Sequence, residues 1–197
     1  PFRNIRQVPP GCAFVHRNGR TELTHYGSLL PGKMLRLKSD GEYVEAFRSV
    51  FRQAVADRLR APLPAGVALS GGLDSGSVAA FAARELRARG EELRAYCVVP
   101  HPKFSDWTPS KMEADERAHA RATAAFAGNI RDAYLDLPEE DAYSAVDRWL
   151  DLLDAPYKFI ENSVLLGGIY EAARADGVGI LLTGARGNYT ISWGSAI

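Results

Sequence analysis

Cysteine is scarce in this chain: Cys12 and Cys97 are the two present among 197 residues. Two thiols exclude a disulfide scaffold and a multi-cysteine zinc cluster. Cys97, between Tyr96 and Val98 in a strand pattern, reads as a small buried hydrophobe. The histidines (His16, His25, His101 and His119) lack metal-ligand spacing. No apolar run approaches the roughly 18 residues needed to cross a membrane, and no signal peptide is visible. An excess of either charge is also missing: 24 Lys and Arg balance 24 Asp and Glu. Proteins that track nucleic-acid phosphates usually carry a basic excess or patch. The arginines between Arg84 and Arg94 are interleaved with acids, which reads as a solvated helix face. These absences predict a cytoplasmic protein with neither a membrane nor a nucleic acid as partner. The chain starts at Pro1 without methionine and stops at Ile197 after a polar loop, so a fragment with sequence missing at both ends is expected.

What is present suits one globular domain with a small appendage: 46% of the residues are hydrophobic and 24% charged. Near the start, CAFVHR and TELTHY flank Asn18-Gly19, a pair that accepts the positive φ of tight hairpin turns. Two antiparallel strands over 12–17 and 21–27 follow from that. Ser39-Asp40 opens a helix to Arg60, with Val44, Phe47, Val50, Phe51, Val55 and Leu59 at helical spacing. Beyond it, strands and helices alternate. Strands are expected at GVALS, at 93–99, more weakly at IRDAYLDL, and at 177–183. Helices are expected over Gly76–Arg89, Glu113–Phe126, Glu139–Leu153 and Asn162–Ala175. That alternation predicts an α/β fold, a parallel sheet with helices on both faces, preceded by the small hairpin. Ligands in such sheets sit at the carboxyl ends of the strands. Loops of unusual composition follow three of them, at 70–76, 100–111 and 183–195.

The first of these loops is the loudest signal. GVALSGGLDSGSVAAF runs from Gly66 to Phe81, an apolar strand that stops at a serine and two glycines before a helical run. A strand feeding directly into a helix leaves the first helical N–H groups unpaired at the positive end of the dipole, which favours an anion. Glycine lets backbone approach phosphate oxygens closely, and serine hydroxyls add donors. Asp74 could hold a Mg²⁺ that bridges the phosphates. The Walker pattern, GxxxxGK followed by Ser or Thr, is absent, so this is a different phosphate loop.

Ser70-Gly71-Gly72-Leu73-Asp74-Ser75 resembles the PP-loop of the ATP pyrophosphatases, and its setting resembles the synthetase domain of the asparagine synthetase family. NIRQVPPGCAFVHRNG with THYG is similar to the segment joining that family's glutaminase domain to its synthetase domain. DERAHARATAAFAGN and LLTGARGN are similar to further family segments. The resemblance implies an adenine nucleotide alpha-hydrolase-like fold, with residues 1–38 as joining segment and 39–197 as the N-terminal part of the synthetase domain. It also implies ATP-dependent amide formation with Mg²⁺. A small-molecule or peptide carboxylate attacks the α-phosphate, pyrophosphate leaves, and an amine displaces AMP. On this resemblance Ser70, Gly71, Gly72, Asp74 and Ser75 hold pyrophosphate and its metal, with Asp74 as metal ligand. Leu69, Val98, Thr183 and Gly184 match positions where the family holds adenosine, although Leu69 and Val98 read equally well as plain core. A glutaminase domain or other ammonia source upstream is implied, and a homodimer is one assembly left open.

The pattern breaks after the fourth strand of the sheet. The family carries an acidic pair there, roughly G-E-G-x-D-E, whereas this chain reads Gly184-Ala185-Arg186-Gly187-Asn188-Tyr189. Asn188 stands at the catalytic aspartate position, and an amide is a weaker metal ligand than a carboxylate. This ending is similar to divergent relatives found beside lasso-peptide genes, in which a similar domain closes a macrolactam ring. The alternatives are a nucleotide-binding relative without activity and a tRNA-modifying PP-loop enzyme. Asp115-Glu116 reads as a solvated acid pair inside a helix, and Asp154 as a turn residue.

Overall fold

The computed structural model describes residues 3–28, 34–137, 141–156 and 162–187. Two units, Pro1–Glu45 and Ala46–Ile197, emerge from its contacts. In the first, Asn18 and Gly19 both take positive φ, 52° and 72°. They join β1 (Cys12–Arg17) to β2 (Arg20–His25), antiparallel with Cys12 opposite His25. The second strand ends before the expected residue 27, because the amides of Tyr26 and Gly27 both turn to the Gly11 carbonyl. Helix α1 (Asp40–Arg58) starts where the sequence placed it. Ser39 Oγ accepts the Glu42 amide at 3.3 Å, and the Glu42 carboxylate reaches back to the Lys38 amide at 2.7 Å. Two of the donors around the helix start are thereby satisfied.

The second unit holds a sheet of four parallel strands in the order β5-β4-β3-β6. These are β3 (Ala65–Ala68), β4 (Leu93–Val98), β5 (Ile130–Leu135) and β6 (Ile180–Thr183). Between them run α2 (Leu73–Arg87), α3 (Arg117–Ala127), α4 (Val146–Leu153) and α5 (Ser163–Ala175). Because side chains alternate along a strand, each strand serves two cores. Leu93, Ala95 and Cys97 of β4 pack with Val67, with Ala79, Ala82 and Leu86 of α2, and with Ala120 of α3. Tyr96 faces the other way, against Ile169 and Ala173 of α5. Helices therefore cover both faces, as the alternating pattern predicted.

Three helix starts differ from expectation by three residues or more, and two have a visible cause. Helix α2 begins at Leu73 rather than Gly76, since Gly72 is the last extended residue, with φ −77° and ψ 151°. Helix α3 begins at Arg117 rather than Glu113, because the Asp115 carboxylate accepts the Arg117 amide at 3.0 Å and turns the chain just before the helix. Helix α4 begins at Val146 rather than Glu139, and residues 138–140 lie outside the described part.

The topology fixes where a ligand can sit. From β3 the chain steps to β4 and then β5, and β6 returns to the opposite side of β3. The strand order reverses between β3 and β6, so the segments after them, starting at Leu69 and Gly184, share the crevice at a switch point.

Candidate functional site

The loop after β3 is tied by its own serines. Ser75, 6% exposed, places its hydroxyl 2.8 Å from that of Ser70 and accepts the Ser70 amide at 3.1 Å. Ser70 Oγ accepts the Gly72 amide at 3.2 Å. The sequence suggested hydroxyls offered to an anion, but here both hydroxyls hold the loop in shape. Helix α2 starts at Leu73, and Gly72 before it supplies no side-chain cap, leaving the first-turn amides of Leu73, Asp74 and Ser75 without intrahelical acceptors.

Two glycines of the segment after β6 are pressed against this turn. A Cβ on Gly184 would fall 2.5 Å from the Ser75 nitrogen and 2.8 Å from the Asp74 carbonyl carbon. A Cβ on Gly187 would fall 2.2 Å from the Asp74 carboxyl carbon. Arg186, between them, takes a positive φ of 73°, and the Gly187 amide donates back to the Gly184 carbonyl at 3.1 Å. Asn188 and Tyr189 lie outside the described residues.

A cleft of about 460 Å³ opens beside the loop, lined by Leu69, Ser70, Val98, Phe104, Glu116 and Leu165 among others. Leu69 belongs to the core and to the cleft wall at once, being 3% exposed. Thr183 sits at the exposed end of β6, where its hydroxyl accepts the Ala185 amide at 3.4 Å. The structure thus brings Leu69, Ser70 and Val98 to one cleft, and Asp74, Ser75 and Gly184 to one contact. Cys97 also lines the cleft, and its thiol is pushed up to about 11, first by burial and then by the negative charges of Glu116 and Asp115.

Glu116 reads in the sequence as one of a solvated acid pair inside a helix, and the structure gives it a partner instead. It stands at the start of α3 rather than inside a helix, and its carboxylate accepts the Gly71 amide at 3.1 Å. A Cβ on Gly71 would meet His119 Cβ at 3.0 Å and Glu116 Cβ at 3.1 Å. The loop is therefore held at Gly71 by the start of α3, with Glu116 45 residues along the chain.

This donor set fits a phosphate group, because an uncapped helix start and an amide already bonded to a carboxylate are both anion seats. For a metal, no group of three or more His, Cys, Asp or Glu exists among the described residues. Asp74 alone suits Mg²⁺, which usually takes one or two carboxylates together with phosphates and water.

The family model for asparagine synthase matches residues 46–189, well over half of the chain. The chain belongs to the asparagine synthase family. Amidase chyE of Penicillium rubens is 32% identical over 192 residues, covering 93% of this chain and 28% of that protein. A glutamine-hydrolyzing asparagine synthetase of Brassica oleracea is 33% identical over 99 residues, covering 38% of this chain and 17% of its own length. The chain thus spans well under a third of either relative. Among solved structures, NAD+ synthetase of Burkholderia pseudomallei matches with a TM-score of 0.43 and 26% identity, over 73% of this chain and 62% of that one. No helix among the described residues is long and apolar enough to cross a membrane.

Proposed function

We propose that this chain is the nucleotide-binding part of an amide-forming ligase that activates a carboxylate as its acyl-adenylate. The supporting observation is the loop Ser70–Gly72 running into an uncapped helix start at the switch point of the sheet, beside an apolar cleft. In the proposed reaction a carboxylate oxygen bonds to the α-phosphorus of ATP while the bond from that phosphorus to the bridging oxygen breaks, releasing pyrophosphate. An amine nitrogen then bonds to the acyl carbon, and AMP leaves. The roles of the loop are positioning and charge neutralisation. Gly71 and the first turn of α2 present backbone donors to the leaving pyrophosphate, and Gly72, whose amide Ser70 Oγ holds, lets the chain come close to it. Ser70 and Ser75 keep those donors in place, and Asp74 would hold Mg²⁺. Leu69 and Val98 would wall the adenosine, with Thr183 and Gly184 closing the far side.

Residues 1–38 are proposed as the joining segment and 39–197 as the leading part of the synthetase domain, with a glutaminase domain or other ammonia source upstream. Relatives named asparagine synthetase and amidase share one bond type, the carboxamide C–N bond, which agrees with this chemistry. Asn188, next after Gly187 in the sequence, is proposed as a second metal ligand. Its amide oxygen neutralises less charge than a carboxylate, and Tyr189 adds an aromatic group. A larger acyl donor such as a peptide side chain therefore suits the full-length protein better than free aspartate. Full-length protein given aspartate, ATP and ammonia should form no asparagine; substantial asparagine would overturn that part.

Calorimetry tests the core of the reading. Wild-type chain should bind Mg²⁺-ATP, and Gly72→Val should lose it, because a β-branched side chain obstructs the phosphate approach. Equal affinity in the two proteins would place the phosphates elsewhere.

A further inference from the structure

Glu116 and a phosphate group need the same donor. The Gly71 amide, between Ser70 and Gly72 in the loop, donates to the Glu116 carboxylate at 3.1 Å. The neighbouring cation does not draw this carboxylate away, since Arg117 turns to Asp115 with a separation of 3.7 Å. Nor is the contact a matter of side-chain choice alone. The Glu116 Cβ sits 3.1 Å from where a Cβ of Gly71 would be, so the backbone of α3 holds this acid at the loop. Glu116 also lines the cleft, which places its charge on the side from which a nucleotide would enter.

We propose that Glu116 competes with phosphate for the Gly71 amide and thereby sets how tightly the loop holds pyrophosphate. A bound phosphate must displace the carboxylate and then lie beside it, and two anions at such range repel. When pyrophosphate departs, Glu116 takes the amide back, so the amide is not left without an acceptor. The side chain thus favours release of the product over its retention. Glu116 is a positioning residue in this scheme, since it acts through the Gly71 amide and donates nothing to the reacting atoms. The inference rests on the phosphate-loop reading above.

Binding of inorganic pyrophosphate in the presence of Mg²⁺, followed by calorimetry, tests it without any turnover. Four proteins are compared: wild type, Glu116→Gln, Glu116→Ala and Gly72→Val, with thermal melts to establish that each is folded. Both Glu116 variants should bind about tenfold more tightly than wild type, in line with removal of one charged competitor for a hydrogen bond. Unchanged or weaker binding in either Glu116 variant, with binding lost in Gly72→Val, would overturn the competition while leaving the loop reading intact. Undiminished binding in Gly72→Val would instead remove the phosphate-loop reading, and the proposal with it.

Discussion

Gly184 lies against the backbone of Ser75 so closely that a Cβ would fall 2.5 Å from the Ser75 nitrogen. The end of β6 and the first turn of α2 are in van der Waals contact through main chain on both sides. Backbone cannot rotate away as a long side chain can, so an added methyl group must push the two segments apart. Overpacking of this kind costs about 1–3 kcal/mol. Gly184→Ala should lower the melting temperature and weaken Mg²⁺-ATP binding together, because the displaced turn carries the proposed phosphate donors. Wild-type values for both would show that the contact is slack in solution.

Gly187 offers a different case, since its close neighbour is a side chain. Gly187→Ala would set a Cβ 2.2 Å from the Asp74 carboxyl carbon, and the short aspartate must rotate out of its place. The expected result is a folded protein with a melting temperature near that of wild type and a weakened Mg²⁺ dependence of pyrophosphate binding. Asp74→Asn should produce the same change. If Gly187→Ala kept the full Mg²⁺ dependence while Asp74→Asn lost it, the carboxylate would have another usable orientation.

Much of this is legible in the sequence, for reasons that separate local from distant effects. The hairpin turn was readable because Asn18 and Gly19 accept positive φ by themselves, and both do so here. The strands of the sheet were readable as apolar runs, and the loop as glycines at a strand end. The start of α2 was misplaced because Leu73, Asp74 and Ser75 belong to a motif that reads as loop, while the backbone is already helical at Leu73. Glu116 reads as a solvated helix acid for a similar reason. Nothing near Glu116 in sequence names its partner, since Gly71 is 45 residues away. The pressure of Gly187 on Asp74 joins two loops that only the return of β6 beside β3 brings together.

Cys97 yields a prediction about reactivity. Its thiol is pushed up to about 11, with burial the main cause and the charges of Glu116 and Asp115 adding to it. The thiolate is the nucleophile, so at pH 8 only about one molecule in a thousand carries it. Alkylation by iodoacetamide, read by mass spectrometry, should be slow at pH 8 and rise about tenfold per pH unit toward 11. Glu116→Gln should quicken it, because one of the opposing charges is gone. Labelling of Cys97 at pH 8 as fast as a free cysteine would contradict the burial.

Tyr96 and Asp176 give the pH dependence of stability. The buried phenol donates to the Asp176 carboxylate at 2.8 Å, and Arg94 approaches the same carboxylate at 3.3 Å. This ties β4 to the end of α5. The phenol is pushed up to about 12, by burial first and by Asp176 next. It stays neutral and remains a donor through the physiological range. The Asp176 carboxyl is held below its ordinary value of 3.8, chiefly by the bond from Tyr96 and with help from Arg94. A carboxylate with a depressed value stabilises the folded state above its unfolded value, and that gain is lost as pH falls through the folded one. Tyr96→Phe removes the main cause of the depression. At pH 7 it should lower the melting temperature by about 2–4 °C. The difference from wild type should hold down to about pH 5 and then narrow as the medium passes below the ordinary carboxylate range. Melting curves of both proteins from pH 7 to pH 3 decide it. A gap that stays constant to pH 3 would mean that the hydroxyl stabilises the protein through packing rather than through the Asp176 charge.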